Sequence, residues 1–100
     1  MRNVYENVPS NQIEKQKKYF YGAILDVLYK YEEGYPFLDN RLQNLINQVQ
    51  GSNKLFGNQP QVLTICALLQ TAKDDRSQLR GCILNAINLV DSLNGGDSDV

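Results

Sequence analysis

Histidine is absent from this 100-residue sequence, cysteine occurs twice, and no apolar run approaches the roughly 20 residues of a membrane-spanning helix. Without histidine the chain lacks the commonest general base and the commonest transition-metal ligand. It therefore also lacks Ser–His and Cys–His nucleophile pairs. No glycine-rich phosphate-binding motif is present either. We therefore expect no enzyme activity, no catalytic residues, no metal site and no bound cofactor.

The positive and negative charges of the chain nearly cancel. Ten Lys and Arg face 11 Asp and Glu, for a net charge of -1. This balance argues against a nucleic-acid partner, which a basic surface would attract. Two cysteines are too few for a secreted disulfide scaffold, and the N-terminal sequence MRNVYENVPS lacks the apolar region of a secretory signal. We expect a cytoplasmic protein with no membrane span.

The sequence contains enough apolar residues to form one hydrophobic core. Apolar residues make up 42% of the chain, and a chain of this length can bury a single core without disulfides or metals. Asn and Gln supply 20 residues, spread along the chain, so the expected surface is polar but weakly charged. This composition is typical of one small folded domain.

The first helical segment has clear end signals. Apolar residues recur at helical spacing over residues 11–33, after a lead-in over residues 1–10. Asn11 and Glu14 have the spacing of an N-terminal capping box. Gly34 is in the position of a C-terminal cap, and a proline follows soon after it.

A second helix is predicted over about residues 37–50, with its apolar side chains on one stripe and Asn and Gln on the opposite face. Gly51 ends it and begins the longest connection, residues 51–58. Leu55 and Phe56 are the large apolar residues in that connection, and we expect them to tuck under the end of the bundle.

The third helix is expected to begin near Asn58, whose side chain can cap it, with Pro60 in the first turn. Residues 62–72 are apolar around most of the helix, which predicts a helix buried at the centre of the bundle. Asp74 or Asp75 is placed to cap a fourth helix that ends near residue 93. Its inward residues are predicted to be Leu79, Cys82, Ile83, Ala86, Ile87, Val90 and Leu93.

Four amphipathic helices with short connections predict an all-α fold: a four-helix antiparallel bundle, either up-down or orthogonal. Residues 11–94 are expected to form its single domain, and residues 95–100 a flexible tail.

The two cysteines allow a test of helix register. Cys66 and Cys82 lie eight residues before and after the predicted turn at Asp74, so both thiols should meet at one height between helices 3 and 4. Two interpretations remain open. The thiols are either small buried hydrophobes in a reducing compartment, or a reversible bridge that locks the hairpin.

Polar and aromatic residues recur at helical spacing on helix 1, on the side away from its core stripe. Tyrosine is enriched at protein interfaces, and a glycine in mid-helix lets another backbone approach closely. The alternative is that the tyrosines cover the bundle edge and the glycine relieves internal packing. The candidate interaction residues on this stripe are Tyr19, Gly22, Asp26, Tyr29 and Glu33.

Helix 4 offers a second candidate surface. Leu84 and Leu89 flank its inward stripe on either side, and Gly81 is a second mid-helix glycine. An apolar arc this wide indicates either a deeply inserted helix or a dimer face.

These features predict a non-enzymatic protein that acts by binding another protein, as an adaptor, inhibitor or immunity-type module, in monomeric or homodimeric form. The alternative is a small DNA-associated transcriptional regulator. That alternative requires the lysines of helix 1 to align with Arg76 and Arg80.

Overall fold

Four α-helices make up most of the chain. The structure, a computed structural model, describes the backbone of residues 3–57 and 59–93 and the side chains from residue 12 onward within those ranges. A short 3₁₀ helix, Arg76–Gln78, precedes the last α-helix, and the described residues contain no strand. The predicted all-α four-helix bundle is confirmed. Its helices are α1 (Asn3–Glu33), α2 (Leu38–Gly51), α3 (Pro60–Asp74) and α4 (Leu79–Asp91).

Contacts between side chains show that α1 and α4 are antiparallel. Lys17 Nζ donates to the carbonyl oxygen of Asp91, 3.2 Å away, at the end of α4. Glu32, at the end of α1, pairs with Arg80 at the start of α4. Because a residue halfway along α1 contacts the end of α4, and a residue at the end of α1 contacts the start of α4, the two helices run in opposite directions.

The same reasoning makes α1 and α2 antiparallel, because Tyr19 hydrogen-bonds to Gln48 and Asp26 pairs with Arg41. Each helix packs against two neighbours in the order α1, α2, α3, α4 and back to α1. In the described part of the chain α1 and α3 make no contact, so they are diagonally opposite. The connections at residues 34–37 and 75–78 share one end of the bundle, the turn end, and the connection at residues 52–59 is at the other, the loop end.

The core lies on the axis of this ring of helices. Every inward residue predicted for α4 is buried, from Leu79, with no exposed surface, to Ile87, which is 8% exposed. Phe56, in the long connection, is fully buried and its ring centroid is 6.4 Å from that of Phe20 on α1. Leu55 is partly buried beside it. The predicted tucking of this connection under the bundle is confirmed.

The C-terminal end of α1 and the turn that follows α3 have the structures that their sequences predict. Gly34 has a φ of 77°, the left-handed conformation that glycine adopts without strain, and the N–H of Tyr35 returns to the carbonyl of Lys30 at 3.0 Å. Beyond α3, Asp75 Oδ1 accepts the N–H of Ser77 at 3.0 Å. Asp75 therefore caps the segment leading into α4, as predicted.

The predicted start of α1 is wrong. The helix begins at Asn3 rather than at residue 11, and it includes Pro9. A proline inside a helix removes one backbone hydrogen bond and disfavours the helix, but its φ near -65° is helical, so it does not always end the helix. Since the helix already passes through Asn11, this residue is not its N-cap. Two other predictions, the Asn58 cap and the tail over residues 95–100, lie outside the described residues.

The central position predicted for α3 is also wrong. Ile65, Cys66 and Leu69 are buried as predicted, but Leu68 is only partly buried and Leu63 is 59% exposed. In a ring of four short helices every helix keeps an outer face toward solvent. A high apolar content therefore does not by itself place a helix at the centre. None of the described helices is both long and apolar enough to cross a membrane.

Candidate functional site

The predicted stripe on α1 divides into two parts in the structure. Tyr19 and Asp26 lean toward α2: the Tyr19 hydroxyl donates to Gln48 Oε1 at 2.9 Å, and Arg41 Nη2 donates to Asp26 Oδ2 at 2.7 Å. The Tyr19 side chain nevertheless remains 50% exposed. These two residues form part of the seam between α1 and α2 while presenting polar and aromatic surface outward.

The remaining residues of the stripe face away from the other helices. Tyr29 is 57% exposed, and Gly22 and Glu33 are exposed as well. A Cβ added at Gly22 meets no atom within 4 Å beyond the neighbouring backbone of its own helix. Within the described residues Gly22 therefore relieves no packing, which argues against the interpretation that it serves internal packing.

Two depressions follow the seam between α1 and α2. The larger, of about 540 Å³, is at the loop end, and the smaller, of about 110 Å³, continues toward Arg41. Tyr19 and Gln48 line both, so their hydrogen bond spans the groove and separates its two parts. We call the two depressions together the α1–α2 groove. The larger part is lined by Gln16, Tyr19, Gln48, Gly51, Ser52 and Leu55.

The candidates on α4 do not form one surface. Leu84 is 50% exposed, whereas Leu89 is partly buried and packs against the core. Five residues separate them, which places them about 140° apart around the helix. Leu89 instead lines a third depression of about 360 Å³, between α3 and α4, together with Leu68 and polar residues.

The structure does not bring together the basic residues that a DNA-binding surface would need. Arg80 pairs with Glu32, and Arg76 pairs with Asp39. Arg76 also donates to two carbonyl oxygens in the last turn of α3. Lys17 is 15 residues before Glu32 on α1, a separation of about 22 Å along the helix. The lysines near the middle of α1 are therefore at the opposite end of the bundle from Arg76 and Arg80.

Both cysteines are free and buried. Cys66 Sγ is 3.9 Å from the carbonyl oxygen of Ile46 on α2. Burial raises the pKa of the Cys66 thiol, while burial and the negative charge of Asp75 raise the pKa of the Cys82 thiol. A neutral thiol is a poor nucleophile and a poor metal ligand. The register predicted for the two thiols stays a prediction.

Sequence reasoning missed the second wall of the groove. Gln48, Ser52 and Leu55 are at the end of α2 and in the connection that follows it, and only the fold brings them beside Gln16 and Tyr19. The signal for this wall in the sequence is the amide-rich face of α2, to which Gln48 belongs.

Comparison with protein-family models, with curated proteins and with solved structures gives no match to this chain. The functional conclusion below is therefore drawn from the geometry of the described residues.

Proposed function

We propose that this protein catalyses no reaction itself and acts by binding another protein through the outer face of α1 and the adjoining α1–α2 groove. The observation that carries the proposal is Tyr19, an aromatic side chain that is held by Gln48 and is still half exposed. Ordering a side chain costs conformational entropy on binding, and a tyrosine already oriented in the free protein avoids part of that cost.

Gly22 supports the same surface. A glycine in the middle of a helix destabilises it by about 1 kcal/mol relative to alanine, and no contact among the described residues requires the missing Cβ. Close approach of a partner at this point gives the glycine a purpose. Tyr29, seven residues further along α1, extends the surface by two helical turns.

A binding function of this kind fits an adaptor, an inhibitor or an immunity-type module, and a second copy of the chain is one form the partner can take. No observation favours the DNA-associated alternative, because Arg76 and Arg80 are engaged with carboxylates at the turn end.

The test is capture of the partner with cross-linking from cells that express the tagged protein. Replacing Tyr19 and Tyr29 by Ser should abolish capture and leave the melting midpoint within a few degrees, because exposed substitutions usually change stability by about 0.5 kcal/mol or less. Each lost aromatic anchor should weaken binding by about 1 kcal/mol or more. Sedimentation velocity on the same variants shows whether the partner is a second copy.

Two further variants sharpen this test. Leu63→Ser is the matched control, because Leu63 on the diagonally opposite helix is 59% exposed, close to the 57% of Tyr29. Gly22→Ala should stabilise the fold by about 1 kcal/mol and yet weaken capture. If capture is equal for all variants, or is lost equally with Leu63→Ser, this surface of α1 is not the binding site.

A further inference from the structure

The α1–α2 groove presents hydrogen-bonding groups that are not used within the described residues. Gln48 accepts from Tyr19 through Oε1, which leaves its amide N–H groups available as donors. The Gln16 side chain makes no hydrogen bond within the described part of the chain. Leu55 adds an apolar side chain to the same wall. The groove therefore combines amide donors with a small apolar contact.

Charge around the larger depression is positive. Among the loop-end residues whose side chains the structure describes, four lysines face two carboxylates, Glu14 and Asp91, although the whole chain has a net charge of -1. No carboxylate lines the larger depression. The four lysines, none of which forms an ion pair within the described residues, are Lys15, Lys17, Lys18 and Lys54.

Two of these lysines adjoin the groove. Lys15 is exposed and one helical turn before Tyr19 on the same side of α1, and Lys54 is exposed and directly before Leu55 in the connection. Lys17 is engaged with the end of α4. Lys15 and Lys54 thus place two unpaired positive charges next to residues that line the larger depression, whose own lining carries no charged side chain.

We propose that the α1–α2 groove binds an acidic segment of the partner protein, with Lys15 and Lys54 attracting its carboxylates and Gln16 and Gln48 donating to them. From Gln16 to Ala23, the first and last residues of α1 that line it, the groove follows seven residues of the helix, about 10 Å. This length fits about three residues of an extended chain. The inference rests on the proposed protein-binding function and names the chemistry of the partner.

The probe is a fluorescein-labelled peptide of alternating Glu and Leu, and its control replaces every Glu by Gln. Anisotropy should show binding of the acidic peptide only, weakening with added salt. Lys15→Gln combined with Lys54→Gln should reduce affinity by fivefold or more, since each exposed charge pair contributes up to about a fivefold effect. The matched control is Lys30→Gln with Lys73→Gln, which removes the same charge at the turn end and should change affinity less than twofold.

Side-chain amide resonances locate the bound peptide. The signals of Gln16 and Gln48 should shift on titration with the peptide, and Tyr19→Phe should alter the Gln48 shift. Absence of peptide binding, equal loss in both lysine pairs, or equal competition by heparin would overturn the proposal. The proposal would also be overturned if the double variant Asp97→Asn, Asp99→Asn shifts these signals in the absence of peptide. The chain's own acidic residues would then be the occupant of the groove. If partner capture still depends on Tyr19 and Tyr29 in any of these cases, the protein-binding function stands and the acidic-segment inference fails.

Discussion

The two ends of the bundle use charge in opposite ways. In the half near the turn end three arginines each pair with a carboxylate of another helix, whereas at the loop end no described lysine forms an ion pair. An arginine guanidinium has a planar fork of donors that suits a carboxylate, and a lysine ammonium is a strongly hydrated point charge. The turn end therefore uses its charges to join helices, and the loop end leaves lysine charges available to a ligand.

The two ends also differ in how far their phenylalanine side chains are buried. Phe56 at the loop end is fully buried, and Phe37 at the turn end is 59% exposed. Phe37 stacks edge-on against Tyr35 with ring centroids 5.9 Å apart, on the surface. The loop end thus buries a phenylalanine side chain, whereas the turn end leaves one exposed.

The largest effect should come from Phe56→Ala. Removing a fully buried phenylalanine that packs against Phe20 should lower the free energy of unfolding by about 3–5 kcal/mol, because a cavity remains at the site. Phe37→Ala should change it by about 0.5 kcal/mol or less. Urea denaturation of both variants measures the difference. Similar losses in the two variants would contradict the contrast between the ends.

At the turn end, Asp75→Ala should cost about 1 kcal/mol, since it removes the acceptor for the Ser77 N–H. Asp75→Asn is the matched variant, because asparagine caps helices about as well as aspartate. Thermal melts should therefore show a loss for the alanine variant and little change for the asparagine variant. Equal losses would mean that the carboxylate charge, and not the cap, stabilises this turn.

The ion pairs should contribute less. Both members of the Arg80–Glu32 pair are about half exposed, so Arg80→Gln should lower stability by about 0.2–1 kcal/mol. The loss should disappear near 1 M salt, where charges are screened within about 3 Å. The change in stability caused by Lys18→Gln, at the loop end, should not depend on the salt concentration. A salt-independent loss at Arg80 would indicate packing of its stem instead.

The smallest effects should appear above neutral pH, where the thiols titrate. A thiol whose pKa is raised in the fold stabilises it below the unfolded value of about 8.5, and that stabilisation is lost as pH rises through the folded value. Asp75→Asn should lower the pKa of Cys82 and leave that of Cys66 unchanged, because only Cys82 is affected by this carboxylate. Thiolate absorbance measures the pKa of Cys82 in the Cys66→Ala protein and the pKa of Cys66 in the Cys82→Ala protein. An equal shift of both thiols would contradict the assignment.

Much of this fold could be predicted from residues that act locally. The φ of Gly34, the cap at Asp75 and the buried stripe of α4 depend on positions within a few residues of one another, and the structure confirms them. The start of α1 was missed because the proline rule gives a tendency rather than a strict boundary. The position of α3 was missed because it depends on which helices become its neighbours.

The candidate site shows the same division between local and long-range information. Helical spacing correctly placed Tyr29 on an exposed face. The partners of Tyr19 and Asp26 are Gln48 and Arg41, 29 and 15 residues away, and no periodicity in the sequence identifies them. A groove between two helices depends on their packing, which a helical wheel of either helix alone does not contain.

The contact between Lys17 and the Asp91 carbonyl has a consequence for the order of folding. It joins residues 74 positions apart, so the last turn of α4 receives this donor only after α1 has docked. An isolated hairpin of α3 and α4 would lack the interaction and fray at that turn. Amide hydrogen exchange in the last turn of α4 therefore reports on the docking of α1, at the opposite end of the chain.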